Sequence, residues 1–153
     1  MSDTKAPDYK SVFGQLEKML DEYLGKKAPA MPENVKETLA AFGPYLSIIS
    51  IALTIPAITA IFGLGSILTS ITPYAAGLYY MNYLGVIGII VSAVFNGLAI
   101  PGLFKRSIGA WRLMYYAALA NFVGSVIQGN ITSALLGALI GMYILFQVKS
   151  KYK

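Results

Sequence analysis

The chain has 153 residues, 56% of them apolar and 12% charged, with a mean hydropathy of +0.62. That balance excludes an ordinary soluble domain, whose surface carries a charge about every fourth residue, and places the chain in the integral-membrane class. The formal net charge of +5 is split unevenly: residues 1–37 hold six Lys against seven acidic residues, whereas residues 38–153 hold six Lys or Arg and no acid, which reads as a topology signal rather than a nucleic-acid footprint.

Residues 1–43 read as a cytoplasmic arm. Met1 to Pro7 is polar and has no short apolar core ahead of a small-residue cleavage site, so no cleaved signal peptide is expected and the first membrane helix serves as its own insertion signal. From Asp8 to Leu24 the apolar residues Tyr9, Val12, Phe13, Leu16, Met19, Leu20, Tyr23 and Leu24 recur every three or four positions, with charged and polar residues between them; this is the pattern of an amphipathic helix. Gly25, Lys26, Lys27 and Pro29 end it, and Pro32-Glu33 resembles the first turn of a shorter helix carrying Val35, Leu39 and Phe42. The face made by Tyr9, Val12, Phe13, Leu16, Leu20 and Tyr23 suits either docking onto protein, including a neighbouring copy, or lying on a lipid surface. Residues 8–24 hold two Lys against four acids; lipid-seeking helices favour basic polar faces, so the charge favours docking onto protein.

From residue 38 to residue 104 no charged side chain occurs. Four spans of roughly 20 apolar residues fit between the breakers: about 45–68, 79–100, 108–127 and 131–148, making a four-helix transmembrane domain over 44–148 and a basic tail over 149–153. The expected breaks are Thr72-Pro73 with Gly77, Pro101-Gly102 with Lys105 and Arg106, and Gln128-Gly129-Asn130. In the last, Gly129 suits a left-handed helix end and Asn130 an N-cap. A re-entrant second span is the competing reading, which its length disfavours. Asn130-Ile131-Thr132 matches a glycosylation acceptor but reads as a turn flush with the membrane.

Lys26, Lys27 and Lys36 precede the first span, Lys105, Arg106 and Arg112 surround the second connection, and Lys149, Lys151 and Lys153 follow the fourth. Four spans bring all three clusters to one side, so both termini are expected in the cytoplasm. Aromatic belts agree, with Tyr74, Tyr79, Tyr80 and Tyr83 at one interface and Phe104, Trp111, Tyr115, Phe146 and Tyr152 at the other.

Small residues mark candidate packing faces: Ser133, Gly137 and Gly141 on the fourth span with Ala134 and Ala138, Ala117, Ala120, Asn121 and Gly124 on the third, and Gly85, Gly88, Ser92, Asn96 and Gly97 on the second. The short connection between the third and fourth spans favours packing within one chain over packing between copies. Intramembrane polar groups are few. Ser47, Ser50 and Thr54 share a face ahead of Pro56, where a kink is expected, and Asn96 and Asn121 lie on later spans. They read either as a hydrophilic path or, as favoured here, as interhelical hydrogen bonds.

Without His or Cys, and with every carboxylate before residue 38, the spans cannot assemble a Ser-His-Asp arrangement, a paired-acid site or a His-rich metal site. A Ser-Lys pair of Ser107 with Lys105 is formally possible, but a basic connection explains both residues. No enzyme activity, cofactor or metal is expected.

The runs Trp111-Arg112-Leu113-Met114-Tyr115-Tyr116, Gly141 through Lys149 to Tyr152, and Leu20 through Pro29 resemble those of small four-span bacterial inner-membrane proteins that carry no settled function. That resemblance implies a bacterial cytoplasmic membrane and carries over no site residues. The chain does not resemble small four-span multidrug exporters, whose membrane-embedded glutamate has no counterpart here. The expected function is therefore a structural, assembly or interaction subunit, as a homo-oligomer or in a membrane complex. The alternative is a passive channel or facilitator for a small solute or anion, lined by Ser47, Ser50, Thr54, Asn96 or Asn121.

Overall fold

The computed structural model describes residues 9–71 and 73–153, without the side chains of residues 9–11, 65, 68, 69, 71 and 73–82. Met1 to Asp8, the side chain of Tyr9, the aromatic belt at Tyr74, Tyr79 and Tyr80, and Thr72 with the side-chain surroundings of Gly77 lie outside that description. Every described element is helical. Helix α1 covers Tyr9–Leu20 and runs into a π-helical turn at Asp21–Lys27; α2 covers Glu33–Ile71, α3 Pro73–Phe104, α4 Ile108–Ile127 and α5 Ile131–Val148, with a 3₁₀ turn at Lys149–Lys151.

Among the described residues three helical stretches are long and apolar enough to cross a membrane: Glu33–Leu64, Tyr83–Phe104 and Ile131–Lys151. They leave large aliphatic side chains such as Leu53, Ile55, Leu98 and Ile140 more than half exposed, which is consistent with a membrane protein. Helix α4 has 20 residues, but Trp111, Arg112, Tyr115, Tyr116 and Asn121 make it less apolar than the other three.

Two boundaries differ from expectation. The segment after Pro32 is not a separate short helix; it is the start of α2, which continues for 39 residues through Pro44 and Pro56. The Pro32 carbonyl accepts from the N–H groups of Val35 and Lys36 at 3.0 and 3.1 Å, opening the first turn. Each internal proline removes one N–H from the ladder without interrupting the helix. Likewise α3 passes through Pro101 and Gly102 to Phe104, and the chain reverses over 105–107. Arg106 takes a left-handed φ of 53° there, and Ser107 caps α4 by accepting from the Gly109 N–H. Gly102 belongs to packing instead of turning, since a Cβ there would meet the Ala110 Cβ at 2.7 Å.

The turn between α4 and α5 follows expectation at Gly129, whose φ is +79°. Asn130 occupies the N-cap position, but its side chain makes no capping hydrogen bond. At about 1.5 Å per residue α2 and α3 run to roughly 58 and 48 Å, well beyond the ~30 Å hydrocarbon core of a bilayer, while α4 and α5 approach it. Residues 33–43, which carry Glu33, Lys36 and Glu37, account for a little over half of the excess of α2.

The best-packed core sits at the end of the helices where the arm and tail also lie, which we term the arm-side end. Trp111, Tyr115, Ala99, Leu103, Ala40 and Phe146 are buried there. The rings of Trp111 and Tyr115 stack with an interplanar angle of 2°, and Phe146 meets both edge-on. The Trp111 indole Nε1 donates to the Leu145 carbonyl at 2.8 Å. That carbonyl is free because the Lys149 N–H turns back to Phe146 as α5 tightens into its 3₁₀ end. Tail and turn are tied together as well: Ile108 N–H donates to the Lys153 carbonyl, and Lys153 N–H to that of Arg106.

Helices α3 and α4 make the most extensive contact, and glycine sets their spacing. A Cβ on Gly88 would lie 2.7 Å from the Gly124 Cα, and one on Gly124 would lie 2.9 Å from the Gly85 carbonyl oxygen. These are backbone atoms that cannot step aside. Gly88→Ala and Gly124→Ala are therefore expected to lower stability in detergent by about 1–3 kcal/mol each, whereas Gly137→Ala, with open space around it, leaves it unchanged. Trp111→Phe strands the Leu145 carbonyl and is expected to cost a similar ~1–3 kcal/mol. Thermal and denaturant unfolding of the four variants checks all of these.

Candidate functional site

At the arm-side end the acidic residues of the arm meet the basic residues that follow the uncharged run. Lys149 Nζ lies 3.1 Å from Glu17 and 3.5 Å from Asp21, and Arg112 Nε lies 3.7 Å from Glu17. Lys151 pairs with Glu33 at 2.7 Å and with Glu37 at 3.7 Å, and Arg106 pairs with Glu37. The Lys149 ammonium also stands over the Trp111 ring, 4.7 Å from its centroid, so one cation joins arm, tail and core. Lys105 is exposed at the turn. Residues read as topology signals, Arg106 and Arg112, thus also hold the arm.

A buried carboxamide fixes the arm backbone. Gln147, 3% exposed, donates from Nε2 to the Leu24 carbonyl at 2.7 Å and accepts at Oε1 from the Met31 N–H at 3.1 Å. The Leu24 carbonyl has no π-helical partner, because the residue five positions on is Pro29, which has no N–H. Gln147 takes that place. Tyr143 donates to the Pro29 carbonyl at 2.6 Å, so both sides of the Gly25–Met31 connection are held by α5. From sequence Gln147 reads as an interface-level polar group suited to interhelical hydrogen bonding, while Tyr143 carries no mark beyond standing one turn before it on an apolar helix.

The proposed docking face divides in the structure. Leu20 packs against the core together with Leu24, and Leu16 is half-buried. Phe13 meets Tyr116 edge-on at 6.0 Å. Val12, Met19 and Tyr23 are exposed.

The small-residue faces divide too. Gly85, Gly88, Ala120 and Gly124 are consumed between α3 and α4, with Ser92 and Ala117 buried nearby. The Gln128 carboxamide fills the space above Gly85, where its Nε2 is buried without a hydrogen bond. By contrast, Ser133, Gly137 and Gly141 on α5 are exposed, and a Cβ on either glycine would meet nothing within 4 Å. With Asn121, Ser125, Ala134 and Ala138 they line an open notch of about 220 Å³ between α4 and α5.

Of the residues expected to line a polar path, Ser47, Ser50 and Asn96 share one cavity of about 250 Å³ among α2, α3, α4 and α5. Thr54 instead donates to the Ser50 carbonyl of its own helix at 2.8 Å, and Asn121 lies in the separate notch, accepting weakly from Ser125 at 3.4 Å. Tyr152 closes the arm-side end of the cavity. Burial pushes its phenol above the ordinary range, with Arg106 pulling the other way, so its hydroxyl stays neutral.

If the arm is held as described, trypsin should cut slowly after Lys26 and Lys27. Gln147→Ala, which orphans a donor and an acceptor of the connection, is expected to speed cleavage on the order of tenfold. Raising the salt to ~1 M, where the Debye length is about 3 Å, should accelerate it further by weakening the Glu17 and Glu33 pairs. Equal rates in wild type and variant at both ionic strengths would refute arm docking.

Compared with protein-family models, curated proteins and solved structures, the chain matches none, so its functional reading rests on the residues themselves.

Proposed function

We propose that this is a non-enzymatic multi-pass membrane protein that acts as an assembly subunit, presenting α5 around Ser133 and Gly137 to a second copy. In this reading α2 to α5 each cross the cytoplasmic membrane, as a four-helix bundle with both termini inside. The arm-side end is then the cytoplasmic face. The amphipathic arm serves its own bundle first, seated on α4 and α5 through Glu17, Leu20 and Leu24, with Val12, Met19 and Tyr23 left outward for further contacts.

One observation carries the proposal: Gly137 and Gly141 of α5 are open while Gly85, Gly88 and Gly124 of α3 and α4 are filled. In lipid no hydrophobic force drives helices together, so association depends on close backbone approach and interhelical hydrogen bonds. The α5 face offers the first at Gly137 and the second at Ser133, with Asn121 of α4 across the notch. A continuous channel finds less support, because its expected lining is divided between a one-sided cavity, a back-bonded threonine and a separate notch.

Mass measurement in lipid nanodiscs, backed by crosslinking, tests the reading. The wild type is expected as a dimer or higher oligomer and Gly137→Leu as a monomer with unchanged helix content. A strictly monomeric wild type with no crosslinked partner would sink it.

A further inference from the structure

The cavity between α2 and α5 has a composition that neither packing nor topology explains. Its floor is polar and uncharged: Ser47 from α2 and Asn96 from α3 project among Leu46, Met114, Ile144 and Leu145, and no charged residue lines it. Ser47 is 5% exposed, yet among the described residues no hydrogen bond engages the side chain of Ser47, Ser50 or Asn96. Other hydroxyls of the same helix behave differently. Thr38, Thr54 and Thr59 each donate to the carbonyl four residues back, at 2.8, 2.8 and 3.0 Å, the usual refuge of a hydroxyl in an apolar setting. The two serines that line the cavity leave that refuge unused, and a carboxamide with two donors and an acceptor stands beside them.

Access is from the side. Helices α2 and α5 touch only sparsely, the mouth is edged by exposed Leu46, Ser50 and Gly141, and Tyr152 and Leu39 close the arm-side end. A Cβ on Gly141 would meet nothing within 4 Å, so the mouth is open at that point. A volume of about 250 Å³ is below the ~300 Å³ at which pockets for whole drug-sized ligands begin, but it accommodates the polar end of a longer molecule whose chain stays outside.

We propose that this cavity binds the hydroxyl or carbonyl end of an uncharged single-chain amphiphile that reaches it from the bilayer, with Ser47, Ser50 and Asn96 as its hydrogen-bonding partners. The inference rests on the membrane reading above but not on the oligomeric one. Desolvating a charged headgroup against a lining without counter-charge is strongly unfavourable, so the ligand is neutral. The apolar residues at the mouth favour an alkyl chain there.

A photoreactive long-chain alcohol, used as probe on the full chain in nanodiscs, tests this. Labelling is expected to saturate, to map by mass spectrometry to peptides of α2, α3 or α5 at the cavity, and to be competed by octanol but not by octanoate, octylamine or glycerol. Ser47→Ala combined with Asn96→Leu should lower it about tenfold, the loss expected for removing hydrogen bonds worth together about 1.4 kcal/mol. Gly141→Leu should lower it as much by filling the mouth while sparing the polar floor. Gly137→Leu, on the same face but away from the cavity, should leave it unchanged, and particle mass measured on the same samples separates loss of binding from loss of assembly. Non-saturable labelling, undiminished labelling in both cavity variants, equal loss in Gly137→Leu, or competition by glycerol or octanoate as strong as by octanol would overturn the proposal.

Discussion

Charge segregation is the constraint on which the rest of this structure depends. Every acidic residue lies at or before Glu37, and every cation after Lys36 lies in the α3–α4 turn, the first turns of α4, or the tail. The uncharged run between them folds into helices that return the later cations to the level where the run began. At that level the arm holds the chain's only counter-charges. Glu17 between Lys149 and Arg112, and Glu33 and Glu37 beside Lys151 and Arg106, are the consequence. Pairs as exposed as Lys151–Glu33 contribute little individually, and they orient a contact whose firmness comes from Gln147, Leu20 and Leu24.

That arrangement explains why the core is off-centre. A helix group in lipid gains nothing by burying Leu against Leu, since lipid tails are equally apolar. Burial that excludes water is favourable at the end where water, aromatic rings and backbone ends meet. There Trp111, Tyr115 and Phe146 stack, the indole satisfies a carbonyl released by the 3₁₀ end of α5, and Tyr152 folds under α2. Towards the other end the packing depends on glycine, with Gly88 against Gly124 allowing backbone contact that no other residue permits.

The small residues therefore do two different jobs despite one spacing. On α3 and α4 they are spent within the chain; on α5 they are left open, beside polar groups whose hydrogen bonds are weak or unmade. The same distinction holds for the hydroxyls of α2. Thr54 and Thr59 satisfy themselves on their own helix, whereas Ser47 and Ser50 face a cavity with Asn96. Small residues and hydroxyls give similar signals in each pair, and the neighbouring helix separates them.

The amino-acid sequence by itself determined the all-helical character, three of the four stretches read as spans and the left-handed turn at Gly129. Those follow from local physics: an uncharged run of 67 residues, helical periodicity, and the freedom of glycine at positive φ. It misled where a local breaker was overruled. Pro101 removes one N–H from the ladder without ending the helix, because neighbouring packing outweighs one lost bond. Only the tertiary structure decided which glycines are filled, that Ser47, Ser50 and Asn96 converge while Asn121 stands apart, and that Gln147 takes the carbonyl a proline leaves unpartnered. Each of these depends on which helix lies opposite across a distance of more than thirty residues, and no local pattern records that.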